Sequence, residues 1–152
     1  MTDITLDLYN YRVNLRVAAI VRREDEVLLA RPLGDDWLYL PGGRIKVNED
    51  SLTAVHRELT EEIGPDFEVL RPVIAAENFF ELDGQNFHEI STYYEVAWHG
   101  AEIAGTEETP LEEFIWYPLA ELSDLIIKPD FVKPRILEPR AALELIVHRE
   151  NG

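Results

Sequence analysis

The chain has 152 residues, 46% of them hydrophobic, which suits one domain with a core that needs no metal or disulfide staple. It contains no cysteine, which excludes disulfides, thiolate zinc sites and cysteine catalysis. With 30 acidic against 14 basic residues the formal charge is −16, a field that repels long nucleic acid and anionic membranes.

A small anionic substrate remains compatible with that charge if a local countercharge receives it, and a divalent metal is the obvious candidate. The N-terminus "MTDITLDLYN" shows no basic segment followed by an apolar run. No apolar stretch approaches the ~18 residues of a membrane helix. These features predict a single cytoplasmic domain over residues 1–152.

In chain order, "LRVAAIVRREDEVLLARP" predicts two β-strands, 13–22 and 26–31, joined by a turn at "REDE". Val17 to Val21 form a nearly continuous apolar run, the pattern of a strand buried on both faces. "LGDDWLYLPGG" predicts a loop with a short extended piece, punctuated by Pro41-Gly42-Gly43. Residues 50–63 read as a helix. Leu52, Val55, Leu59 and Ile63 fall within about 80° of one another at ~100° per residue. Asp50 or Asn48 can cap its start, and Gly64-Pro65 stops it.

"FEVLRPVIAAENFFEL" and "NFHEISTYYEVAW" then predict two long strands flanking the hairpin signal "DGQ". "EEFIWYPLAEL" predicts another strand turning into a short helix. "PRAALELIVHRE" predicts a second substantial helix at the end of the chain. The order β-β-α-β-β-β-α argues for a mixed sheet with helices on both faces.

The predicted helix 50–63 carries Glu58, Glu61 and Glu62 within an arc of about 100°, centred about 105° from the apolar stripe. A solvated acidic face would alternate with lysine at i+4, but this helix has no lysine. Three carboxylates at a helix C-terminus also oppose its dipole. Two local rules broken at one point mark a functional site. Hard oxygen donors select magnesium, manganese or calcium.

"GGRIKVNEDSLTAVHRELTEEIGP" resembles the box of the Nudix hydrolase family, G-x5-E-x7-R-E-U-x-E-E-x-G-U, with U a bulky aliphatic. Gly43, Glu49, Arg57-Glu58-Leu59, Glu61-Glu62 and Gly64 match; Pro65 replaces the final U. With "WLYLPGG" before the box and "WYPLAEL" near the end, the resemblance covers most of residues 12–122.

The resemblance implies a Nudix-like α/β/α sandwich with a mixed β-sheet between helices. It implies metal-dependent hydrolysis of a nucleoside diphosphate linked to another group X, with Mg2+ or Mn2+. Candidates for X-bearing substrates are ADP-ribose, a nucleoside triphosphate, a sugar nucleotide or a dinucleoside polyphosphate. By motif position, Glu58 and Glu62 would be the principal metal ligands. Glu61 would be a further ligand, direct or through water, and the Gly42 carbonyl another. Arg57 would pair with Glu49 and tie the loop to the helix.

A later glutamate assists catalysis in many relatives, and the candidates here are Glu89, Glu107, Glu108, Glu112 and Glu113, with Glu112 and Glu108 ranked first. Substrate-contact candidates are Arg31, Trp37, Phe80, His88 and Glu112, each weighed against a core or surface role. Alternation puts Phe79 and Phe80 on opposite faces, so one is expected in the core. A non-catalytic nucleotide-sensing module is the alternative, but such modules lose box glutamates that this chain keeps. Processing of messenger-RNA 5′ ends fits poorly with the charge, and prenyl-diphosphate isomerisation needs a cysteine. A homodimer is possible, with "IIKPDFVKPRILEP" either interfacial or packed as a surface loop.

Overall fold

Val17, Ala19 and Val21 are fully buried against one layer of the protein, while Ile20 is buried against the other. The continuous apolar run therefore forms a central strand with a core on each side. The computed structural model of the protein describes residues 2–101, 103 and 112–150.

The strands are β1 (Thr5–Leu8), β2 (Tyr11–Arg23), β3 (Glu26–Pro32), β4 (Trp37–Leu38) and β5 (Gly42–Arg44), followed by helix α1 (Ser51–Ile63). A long hairpin follows, β6 (Phe67–Leu82) and β7 (Gln85–Trp98), turning at Asp83-Gly84. The rest is β8 (Glu112–Pro118), a 3-10 turn (Leu119–Asp124), β9 (Ile126–Ile127), a short α2 (Val132–Leu137) and β10 (Glu144–Arg149). The main sheet runs β10-β6-β7-β2-β3-β8, with β1 and β5 also paired to β2. It is mixed, because β10 joins β6 and β2 joins β7 in parallel while the other pairs are antiparallel.

One core lies under α1, where Ala54, Val55, Leu59 and Ile63 meet Val17, Ala19 and Leu28. The other lies under the 3-10 turn, β9 and α2, where Leu122, Ile127, Phe131, Val132 and Ile136 meet Ile20 and Ile74. The expected α/β/α layering is present. The proline-interrupted segment 126–139 places Ile127, Phe131, Val132 and Ile136 in this second core and leaves Ile126 and Leu137 exposed.

Three expectations need correction. "PRAALELIVHRE" contributes strand β10 instead of a second long helix. Its alternation decides this, with Leu145 and Val147 exposed while Ile146 packs inward. Pairing with the free edge of β6 outweighs the helix propensity of "AALEL". Leu52 is 48% exposed, so the buried stripe of α1 starts at Ala54. Phe79 and Phe80 do face opposite ways, but neither is in the core. Phe79 packs on His88 and under Arg149, whereas Phe80 stacks on Phe87 at 4.9 Å. Among the described residues no helix is long and apolar enough to cross a membrane.

Candidate active site

Helix α1 starts at Asp50, whose carboxylate accepts a hydrogen bond from the Thr53 N–H at 2.7 Å. At its far end Gly64 adopts φ 92°, a conformation suited to glycine, and its N–H donates to the Thr60 carbonyl. At ~100° per residue, Glu58 and Glu62 fall inside the arc between Ala54 and Ile63, not beside it. That placement turns two carboxylates toward the protein.

Room for them comes from β5. Gly42 and Gly43 pair with Ala18 and Val17 of β2. A Cβ at Gly43 would lie 2.4 Å from the Glu58 carboxylate. A Cβ at Gly42 would lie 2.1 Å from the Val17 carbonyl oxygen. The Gly42 N–H donates to Glu62 Oε1 at 3.1 Å. Burial, then the neighbouring Glu58 charge, push the Glu62 carboxyl up to about 8. Burial also raises Glu58, opposed by its hydrogen bond from Arg57.

Arg57 organises the approach to this pair. Its Nε and one terminal nitrogen donate to the two oxygens of Glu49 at 2.7 and 2.8 Å, a bidentate fork. It also donates to Glu58 Oε1 at 3.0 Å and to the Arg44 carbonyl at 3.1 Å. Glu49 accepts the Lys46 N–H at 3.0 Å as well. The Arg57 hydrogen bond, foremost, holds the Glu49 carboxyl down at about 2. Glu61 stands 57% exposed, 3.6 Å from Arg57.

The donor chemistry fits a hard divalent cation. Two carboxylates share a poorly solvated arc in which burial raises the proton affinity of both and the Glu58 charge raises that of Glu62 further, and an oxygen-seeking cation relieves both. Among the described residues no three acid, histidine or cysteine side chains stand together as a complete ligand set. The side-chain core of the site is the pair Glu58 and Glu62, with Glu61 turned toward Arg57.

This pair adjoins a cleft of about 630 Å³ on the other side of β5. Arg16, Ala18 and Arg44 line the cleft and pair directly with Arg44, Gly42 and Arg16 across β2 and β5. The positive charge of Arg16 acts on Glu58 and Glu62 from the cleft side. Trp37 lines the far wall with Lys128 Nζ 5.9 Å from its ring centre, and Phe80 with Phe87 forms a second aromatic surface.

The other substrate-contact candidates separate. Glu112 is not itself a lining residue; it accepts a hydrogen bond from the hydroxyl of Tyr39, which does line the cleft, and has its carboxyl raised by burial. Glu89 lines the cleft. Arg31 instead pairs with Glu113 at 2.7 Å on an exposed surface, so neither reaches the cleft. His88 lies on the opposite face of its hairpin, its ring 4.3 Å from that of Phe79, because side chains alternate along β7. Glu107 and Glu108 lie outside the described residues.

Sequence reasoning missed Arg12, Asn14, Arg16, Arg44 and Asn78 as cleft residues. A signal existed for three of them: Arg12, Asn14 and Arg16 alternate with Val13, Leu15 and Val17 at period two, marking one polar face of β2.

A family model described as the NUDIX domain matches residues 12–138. The chain is 32% identical over 137 residues to a CTP pyrophosphohydrolase of Escherichia coli, covering 81% of this chain and 94% of that protein. It is 35% identical over 83 residues to an RNA pyrophosphohydrolase of Ruthia magnifica, covering 55% of this chain but only 46% of that one. The fold is shared with a MutT protein from Bacillus halodurans, at TM-score 0.68 and 21% identity over 89% of each chain.

Proposed function

The chain belongs to the NUDIX family of hydrolases acting on phosphoric anhydride bonds, and from that premise we propose that it cleaves a small nucleoside diphosphate derivative with Mg2+ or Mn2+. The observation that carries this reading is the Glu58–Glu62 pair, desolvated on α1 beside an arginine-bearing, aromatic-walled cleft.

Glu58, Glu62 and the Gly42 carbonyl would hold the cation, with Glu61 within reach through water. The chemistry supplied by such a cation is neutralisation of pyrophosphate charge and activation of water. The chain's own residues do the rest. Arg57 fixes the Glu58 carboxylate and joins the box loop to the helix through Glu49. Arg16 and Arg44 are placed to take phosphate charge at the mouth of the cleft. Trp37 offers a flat apolar face to the group beyond the phosphates. Glu112, its proton affinity raised by burial and its carboxylate oriented by Tyr39, is the described candidate for taking a proton from water.

A substrate panel in Mg2+ and in Mn2+ with product analysis tests the proposal. The expected result is chelator-sensitive release of a nucleoside monophosphate. Turnover in metal-free buffer, or no cleavage of any nucleotide, overturns it.

A further inference from the structure

A row of polar side chains crosses the cleft floor on five adjacent strands. His148 of β10 stands opposite Asn78 of β6, Asn78 opposite Glu89 of β7, Glu89 opposite Asn14 of β2, and Asn14 opposite Thr5 of β1. Asn14 and Asn78 are only 4% and 6% exposed. Polar groups at such depth need partners, and most of this row has them. Thr5 donates to Asn14 Oδ1 at 2.9 Å, Asn14 donates to Glu89 Oε2 at 2.9 Å, and the His148 Nδ1–H donates to Asn78 Oδ1 at 2.7 Å.

Two groups in the middle of the row keep unused capacity. Glu89 Oε1 has Arg16 Nε at 3.9 Å, too far for a hydrogen bond. The Asn78 amide nitrogen makes no hydrogen bond among the described residues. Both residues line the cleft, and as directly opposed cross-strand neighbours their Cβ atoms lie ~5 Å apart. A carboxylate can only accept and an amide nitrogen can only donate. The row therefore presents one acceptor beside one donor to whatever enters.

Position along the strands tells what enters. Gly42, which donates to Glu62, pairs with Ala18, and Asn14 lies four residues further along β2. At ~3.3 Å per residue the polar row is ~13 Å from the carboxylate end of the cleft. That matches the reach from a pyrophosphate through a ribose to the far edge of a base. One step beyond the row, Phe80 and Phe87 stack on each other and close that end of the floor.

We infer that Glu89 and Asn78 read the base, Glu89 accepting from an exocyclic amine and Asn78 donating to the ring nitrogen beside it, the edge shown by cytosine or adenine and not by uracil. This rests on the proposed function for its substrate class. Asn14 and His148 are positioning residues that fix the two reading groups. The distance also separates Glu89 from the hydrolytic end of the cleft.

Cytosine and uracil nucleotides differ at this edge alone, so calorimetric binding of CMP and UMP without metal tests the inference, alongside hydrolysis of CTP and UTP with Mg2+. The unmodified protein should bind CMP at least about 10-fold more tightly than UMP, the discrimination typical of one good base contact. Glu89→Gln offers a donor in place of an acceptor and should bring that ratio to about one or below. Asn78→Ser should weaken CMP binding about 5-fold or more and leave UMP less affected. Circular dichroism checks the fold, and if Glu89→Gln does not fold, Asn78→Ser decides alone. Equal binding of CMP and UMP by the unmodified protein, or an unchanged ratio in the folded variants, overturns the inference. Selective CMP binding without CTP hydrolysis would instead leave it standing and remove the proposed function.

Discussion

The Glu58 carboxylate occupies the space in which a side chain at Gly43 would begin, 2.4 Å from an ideal Cβ there. Gly43→Ala therefore meets the far end of a flexible side chain, which can swing away. The expected outcome is a protein that melts within a few degrees of the parent but hydrolyses at least about 10-fold more slowly. Gly42→Ala meets the Val17 backbone at 2.1 Å and cannot relax that way. It should cost about 1–3 kcal/mol of stability, as overpacking does. Thermal melts and steady-state rates on the two variants check the contrast, and equal stability losses would refute it.

Arg57 and Glu49 form a two-pronged ion pair across eight residues, with Glu49 side-chain exposure of only 8%. Arg57→Ala and Glu49→Ala should each lower stability and rate, while the double variant loses much less than their sum. A coupling of about 1–3 kcal/mol is expected for groups in direct contact. Acid unfolding gives a second readout. The Glu49 carboxyl is depressed from 4.5 to about 2, so its contribution is complete above pH 4.5 and fades as pH falls toward 2. Glu49→Gln should flatten stability in that window. Strict additivity in the cycle would remove the pairing from the argument.

Much of this site is legible in the sequence because the box is a local constellation. Glu49, Arg57, Glu58 and Glu62 lie within one loop and one helix, so spacing alone nearly fixes their geometry. The glycine beneath Glu58 is legible for the same reason. The cleft floor is different. Asn78, Glu89 and Asn14 become neighbours only through strand register, and a change of register by one residue would turn each away. His88, adjacent to Glu89 in sequence, illustrates that cost by facing the other side. β10 was misread because its pairing with β6, across about seventy residues, outweighs a local helical pattern.

Burial penalises the Glu62 charge strongly, and the neighbouring charge of Glu58 adds to that cost. Glu62→Gln should reduce hydrolysis at least about 100-fold, the scale of losing one electrostatic contributor in a dry site. The metal-free variant should be as stable as the parent or slightly more so, since an amide removes the cost of ionising or protonating a carboxyl buried beside Glu58. Chelation of the unmodified enzyme should likewise abolish turnover while its melting temperature moves little, because the two apolar cores close without the ion. Near-normal rates in the variant would make this face an ordinary acidic surface.

Substrate size is the last point the charge distribution decides. The cleft cations are few: Arg12 is paired with Asp7 at 2.9 Å, while Arg16 and Arg44 have acidic neighbours only at 3.9 Å (Glu89) and 3.8 Å (Asp3) and keep charge for phosphate. Around them the chain carries a formal charge of −16. A nucleotide needs only a few of these groups at the phosphates, whereas a long RNA would have to cross the surface of a chain with 30 acidic against 14 basic residues. A nucleoside triphosphate should therefore be cleaved with kcat/KM at least about 10-fold above that of a 5′-triphosphorylated oligonucleotide of the same first base. For single strands the salt slope is about −0.7 per phosphate neutralised, so the oligonucleotide should show a log–log slope shallower than about −2. Salt titration of both rates measures this. A steep slope with a faster oligonucleotide reaction would assign the cleft to RNA ends instead.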